Sequence, residues 1–173
     1  MREGLAAVSL CVLMAGSVAA QEVIDRVMAV VAGDLILLSD VRAAREFGSV
    51  EPGSAPDPDA EVLSRLIDRA LMLDEVERYA PPEPAPEAIE RALATVRSRF
   101  DSRPAFESAL ARVGADDGQL RATLRQDLRI RAYLEQRFAA DTPEHGRAMA
   151  AAWLAGLRRR ATILEFPAAP ARP

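Results

Sequence analysis

The chain has 173 residues, 26 acidic against 22 basic side chains, a formal net charge of −4, one histidine and one cysteine. A slightly acidic balance argues against a nucleic-acid partner, whose affinity rests mainly on phosphate neutralisation, and against an electrostatic hold on anionic lipid. With a single cysteine and a single histidine, neither a disulfide framework nor a zinc site of the usual ligand spacing is expected.

The first twenty residues read as a secretory signal: Arg2, an apolar run from Leu5 to Gly16, then the small residues Ser17, Val18, Ala19 and Ala20 ahead of Gln21. Cleavage after Ala20 is expected, giving an exported protein. The apolar run falls short of the roughly 20 residues a bilayer-spanning helix needs. Cys11 follows Leu10 rather than the small residue that precedes a lipidated cysteine, so no membrane anchor is expected. Removing Met1 to Ala20 takes away the chain's thiol and leaves 153 of the 173 residues, enough for one domain with its own core.

Ile24 to Val31 is β-branched and apolar, Ala32-Gly33-Asp34 is a turn signal, and Leu35 to Leu38 is a second apolar run; together they predict a β-hairpin. Ser39 is the expected N-cap of a helix through about Phe47. The proline-rich stretch Ser49 to Asp59 reads as an exposed, mobile loop. From Ala60 to Tyr79 the apolar residues Val62, Leu63, Leu66, Ile67, Ala70, Leu71, Leu73 and Val76 recur at helical spacing and predict an amphipathic helix with a wide buried face. Pro86 opens the next helix, through Ile89, Ala92, Val96 and Phe100. Asp101 to Gly114 fits a short helix with Gly114 as its stop. Asp116 or Asp117 caps a long helix whose stripe of Leu120, Leu124 and Leu128 hands over to Leu134 and Phe138, the pattern of a helix that touches two partners. A helix bearing Met149, Trp153, Leu154 and Leu157 follows, then a strand from Ala161 to Phe166. A lone strand cannot satisfy its backbone, so this last strand is expected to return to the first hairpin. Residues 167–173 are expected to be a disordered tail.

Motifs for chemistry are mostly missing. His145 sits in the polar stretch TPEHG, with no G-x-S-x-G and no surviving cysteine beside which it could serve as base. Dispersed carboxylates match no metal-ligand spacing and no calcium loop, and no glycine-rich phosphate cradle is present. Asp116-Asp117 and Asp57-Asp59 are explained by capping and solvation, and Arg158-Arg159-Arg160 by the dipole at a helix C-terminus. No catalytic residue, metal or cofactor is expected, and Trp153 reads more readily as core than as a binding platform.

The stretch VIDRVMAVVAGDLILLSDV closely resembles the start of the mature SurA-like periplasmic chaperones of Gram-negative bacteria: a valine-rich strand, a tight turn, a short strand, then serine and an acidic residue opening a helix. LSRLIDRALMLDEVERY, FESALARVGADDGQLRATLRQDLRIRAYLEQRF and WLAGLRRRATILEF resemble, in order, the family's later helices and its C-terminal helix and strand. Two departures stand out. Ala32 occupies a turn position where the family usually has asparagine, which leaves Gly33 to supply any positive φ. The parvulin domains are replaced by Ala139-Ala140-Asp141-Thr142-Pro143-Glu144.

The resemblance implies an α+β, mostly α fold: an N-terminal β-hairpin and a C-terminal strand forming a small sheet against a helical bundle, over residues 21–166. It implies a periplasmic, ATP-independent holdase for unfolded outer-membrane or envelope proteins, without isomerase activity, cofactor or small-molecule substrate. Candidate client-binding residues are Leu71, Leu120, Leu124, Trp153 and Leu157, most of which are also readable as core. The alternatives are a prolyl isomerase of the same family and an assembly subunit that binds one dedicated partner.

Overall fold

The computed structural model describes residues 25–48, 57–140 and 142–166; the signal segment, most of the proline-rich loop and the tail lie outside them. Over the described residues the chain folds as β1 (Val27–Val31), β2 (Asp34–Leu37), α1 (Leu38–Glu46), α2 (Pro58–Tyr79), α3 (Pro86–Arg97), α4 (Arg103–Val113), α5 (Asp117–Arg137), α6 (Pro143–Arg160) and β3 (Ile163–Glu165). The fold is mostly helical, with one small antiparallel sheet.

The sheet has the order β2-β1-β3, so the last strand does return to the first hairpin, on the far side of β1 from β2. Val30 lies opposite Leu164 and Val31 opposite Ile163. Main-chain bonds extend the pairing by a residue at either end: Ala32 N–H donates to the Thr162 carbonyl at 3.1 Å and Phe166 N–H to the Met28 carbonyl at 2.9 Å. The hairpin turn departs from expectation. Both central residues take positive φ, Ala32 at 51° and Gly33 at 103°, the backbone that two-residue hairpins favour because its twist matches the strands. Gly33 therefore carries only half of the left-handed conformation, and Ala32 bears the other half at a steric cost glycine or asparagine would largely avoid.

Helix boundaries follow their caps, with three corrections. Ser39 is not the N-cap of α1; Leu37 is, and its N–H donates to the Asp40 carboxylate at 2.8 Å. Ser39 instead donates its own N–H, at 3.3 Å, to Asp25 Oδ1, which also accepts from Arg26 N–H at 2.8 Å. The Ser39 hydroxyl, followed by these N–H groups, holds the Asp25 carboxyl below its ordinary range. A carboxylate fourteen positions upstream thus does the capping that serine was expected to do. Second, α2 begins at Pro58, inside the stretch read as loop, because Asp57 Oδ1 accepts from Asp59 N–H at 3.0 Å and Ala60 N–H at 3.1 Å, with Pro58 filling the first helical position. The other caps are as read or one residue away: Ser102 for α4, Asp116 for α5, and Gly114 closing α4 in the left-handed region. Helix α3 stops at Arg97 rather than Phe100.

Three apolar clusters hold these elements. The first joins the sheet, α1, the N-terminal half of α2 and Leu157 of α6, with Ala29, Val41, Val62 and Ile67 wholly buried. The second joins Phe47 to α3, α4 and the start of α5 around Leu93, Phe106 and Ala109. The third is smaller: Val76, Ile130 and Tyr133, with Met72, Leu73, Leu134 and Trp153 against it. The handover along α5 is real, since Leu120 and Leu124 belong to the second cluster and Ile130 and Tyr133 to the third.

Candidate functional site

Between the edge of the sheet and α5 runs an open cleft of about 1400 Å³. Helix α2 supplies Leu66, Ala70 and Leu73 to it, one apolar flank of its stripe; β2 and α1 supply Leu35, Ile36, Ala43 and Phe47; α5 supplies Leu120, Thr123, Ile130 and Leu134 along the opposite wall. Leu154 of α6 also reaches the cleft. Positions 120, 123, 127, 130 and 134 are three or four apart, so one face of α5 lines the wall over its length.

Polar groups tie the walls together. Arg69 of α2 reaches α5, donating from Nε to Asp127 Oδ1 at 2.7 Å and from Nη2 to Gln126 Oε1 at 2.9 Å and the Thr123 carbonyl at 3.3 Å. Arg158 of α6 grips α2: its Nε donates to Asp68 Oδ1 at 2.5 Å, and its Nη2 to the Ser64 carbonyl at 2.7 Å and hydroxyl at 2.9 Å. The first arginine of the triplet is therefore an interhelical clamp as well as a dipole partner. Charge on the cleft wall is uneven, with six carboxylates and three guanidiniums among its lining residues.

Of the five residues picked from the sequence, Leu71, Leu120, Leu124 and Leu157 are buried, each at most 9% exposed. Leu71 and Leu157 fill the first cluster, Leu120 and Leu124 the second; among them only Leu120 also lines the cleft. Trp153 is half-buried and bridges the first and third clusters, its ring 6.0 Å from Tyr133 and 5.3 Å from Phe138. The Arg137 guanidinium lies 5.7 Å from the Tyr79, Tyr133 and Phe138 rings and 5.8 Å from Trp153. This arrangement binds the ends of α2, α5 and α6 to one another through cation–π attraction; burial within it raises the Tyr133 phenol above its ordinary pKa. The close approach of α5 and α6 also needs Gly146, since a Cβ there would stand 2.7 Å from the Phe138 carbonyl oxygen.

The residues that do line the cleft, Leu35, Leu66, Leu73, Ile130, Leu134 and Leu154, went unselected. For Leu66 and Leu73 the signal was present in the width of the stripe on α2, which carries more apolar residues than one buried face uses. His145 is exposed in the first turn of α6, its N–H capped by Thr142 Oγ1 at 3.3 Å. Among the described residues no group of three or more histidine, cysteine or carboxylate side chains is placed to hold a metal ion, and no helix is long and apolar enough to cross a membrane. In comparison with known proteins, no family model matches the chain and no curated protein matches it.

Proposed function

We propose that the protein is an ATP-independent periplasmic holdase that shelters unfolded outer-membrane proteins in the cleft between β2, α2 and α5. The cleft carries the reading. At about 1400 Å³ it exceeds the roughly 300–1,000 Å³ of a small-molecule pocket, it is open, and its walls set leucine, isoleucine, alanine and phenylalanine side chains among carboxylates and guanidiniums. A second hollow, of about 570 Å³ beside Phe100, Phe106 and Leu110, is a weaker candidate, because the Arg97 guanidinium already stacks 5.3 Å from the Phe106 ring. The sequence resemblance to SurA-like chaperones supports the same conclusion, and its missing isomerase segment makes binding, not catalysis, the proposed work. Unfolded barrel strands expose unpaired backbone and alternating apolar residues that aggregate edge to edge; a long apolar cleft competes for those surfaces.

The test is aggregation of an unfolded outer-membrane barrel protein, followed by light scattering without nucleotide. Near-stoichiometric suppression by the chain lacking Met1 to Ala20 is expected, with no acceleration of proline-limited refolding. No suppression by a large excess of folded protein would overturn the holdase and favour the dedicated-partner subunit. Faster proline-limited refolding would favour the isomerase.

A further inference from the structure

Among the described residues the sheet is open on the side of β2, where strand β2 pairs with β1 alone, and the register decides where its backbone points. Across the two-residue turn Val31 faces Asp34, and Ala29 faces Ile36; in such a hairpin these are the pairs that exchange hydrogen bonds, and the pair between them, Val30 with Leu35, does not. Val30 instead turns its N–H and C=O toward Leu164 of β3, bracketed by the bonds from Ala32 to Thr162 and from Phe166 to Met28. Leu35 therefore turns both backbone groups outward, and among the described residues neither has a partner. The next outward N–H, that of Leu37, is already taken by Asp40. Leu35 is 58% exposed, lines the cleft, and begins an apolar row, Leu35–Val30–Leu164, across the outer face of the sheet, with Leu164 54% exposed.

Charge selects among extended segments. Of the six lining carboxylates, Asp68 and Asp127 are ion-paired with Arg158 and Arg69, whereas Asp34, Asp40, Glu77 and Glu135 have no ion pair among the described residues, Asp40 accepting only from the Leu37 N–H. Of the three lining guanidiniums, Arg65 and Arg69 are committed to Glu61 and Asp127, leaving Arg131.

We propose that the cleft takes its client as a fourth strand, main chain to main chain on Leu35 at the outer edge of β2, and prefers segments in which apolar residues alternate with basic ones. This rests on the holdase reading and names the form in which the client is held. An apolar side chain opposite Leu35 continues the row begun by Val30 and Leu164, and basic neighbours meet the unpaired carboxylates. Gln119 to Glu135 on the α5 wall spans about 24 Å at 1.5 Å per residue, which about seven extended residues cover. Such strand addition is a general mode of peptide capture.

The experiment measures binding of labelled peptides of about that length by fluorescence anisotropy to the chain lacking Met1 to Ala20. The reference peptide alternates valine or tyrosine with arginine; a second and a third carry N-methyl amides at alternate positions, one in each register; a fourth has glutamate for arginine. N-methylation in the pairing register is expected to weaken binding about fivefold, since it removes the client N–H that donates to the Leu35 carbonyl, a main-chain hydrogen bond worth about 1 kcal/mol, and N-methylation in the other register is expected to change little. The acidic peptide binds more weakly, and the difference shrinks as salt rises. Leu35→Pro removes only the outward N–H, a change an edge strand tolerates, and is expected to cost more affinity than Leu35→Ala. If the proline variant does not fold, the peptide series decides alone. Equal binding of the reference and both N-methylated peptides would overturn strand addition and leave the holdase standing. Failure to bind any peptide or unfolded barrel protein would overturn both.

Discussion

The two large cores are built on opposite plans. The core around Ile67 and Val41 gathers the first and last elements of the described chain, β1, β2 and β3 with α1, α2 and α6, so its contacts with α6 and β3 close long loops. The core around Leu93 and Phe106 is drawn, apart from Phe47 and its neighbour Ala43, from one continuous run, α3 to α5, of which α4 and α5 carry side-chain caps of their own. Local contacts form early and cheaply, and long loops carry an entropic cost that their contacts must repay. The cleft lies where the plans meet, with β2, α1 and the start of α2 on the first core and much of the α5 wall on the second. Its width is therefore set by the seam between cores, which Arg69 and the Arg137 aromatic cluster hold, and not by the packing of either one.

Removing the closing strand is the harshest test of this difference. Truncation after Arg160 deprives β1 of one partner and the first core of Ala161 and Ile163, and is expected to abolish cooperative thermal unfolding of the sheet and α6. Retention of the parent's melting temperature would show that β3 is decorative. Single cavities then compare the cores directly. Ile67→Ala and Leu93→Ala both remove wholly buried side chains and are each expected to cost about 2–5 kcal/mol in denaturant unfolding. Their amide-exchange signatures should differ. Ile67→Ala is expected to speed exchange throughout the chain, and Leu93→Ala chiefly in α3 to α5. Identical patterns would mean a single cooperative unit.

How much of this could be read from the sequence follows the same division. Elements with a period or a cap were legible: the α2 stripe, the Gly114 stop, Asp116 as a cap, and the return of the last strand, which unpaired backbone alone demands. Some of what could not be read was local, such as the Asp57 cap that starts α2 inside the proline-rich stretch, and the rest depended on partners far away in sequence. Ser39 looked like a cap because Asp25 was not known to stand beside it. Four of the five leucine and tryptophan positions proposed for the client are buried in the cores, because periodicity identifies an apolar face without saying which part of it a neighbouring helix covers. The cleft is lined by the uncovered flank of those same stripes, and only the packing of β2 and α5 on α2 separates the two.

Smaller effects sharpen the seam. Trp153 is half-buried rather than enclosed, so Trp153→Ala is expected to cost about 2 kcal/mol, below the 3–5 kcal/mol of a fully buried aromatic. Its hallmark is loosening of α6 at Phe138 and Tyr133, visible as exchange in those rings' NMR signals. A cost at the full aromatic range would place Trp153 in the first core. Smallest is the turn: Ala32→Asn is expected to raise stability by about 0.5–1 kcal/mol, because asparagine accepts the 51° φ that alanine resists. A lower melting temperature would mean that the Ala32 methyl makes contacts outweighing its backbone strain.

The central claim, that the cleft holds the client, is tested most directly by photocrosslinking. A photoreactive residue is placed singly at Leu73 or Thr123, both on the cleft wall, or at Ala94, exposed on α3 away from it. Each variant is mixed with an unfolded outer-membrane barrel protein and irradiated. Crosslinks from positions 73 and 123 but not from 94 are expected; equal capture from all three, or capture from 94 alone, would contradict the claim.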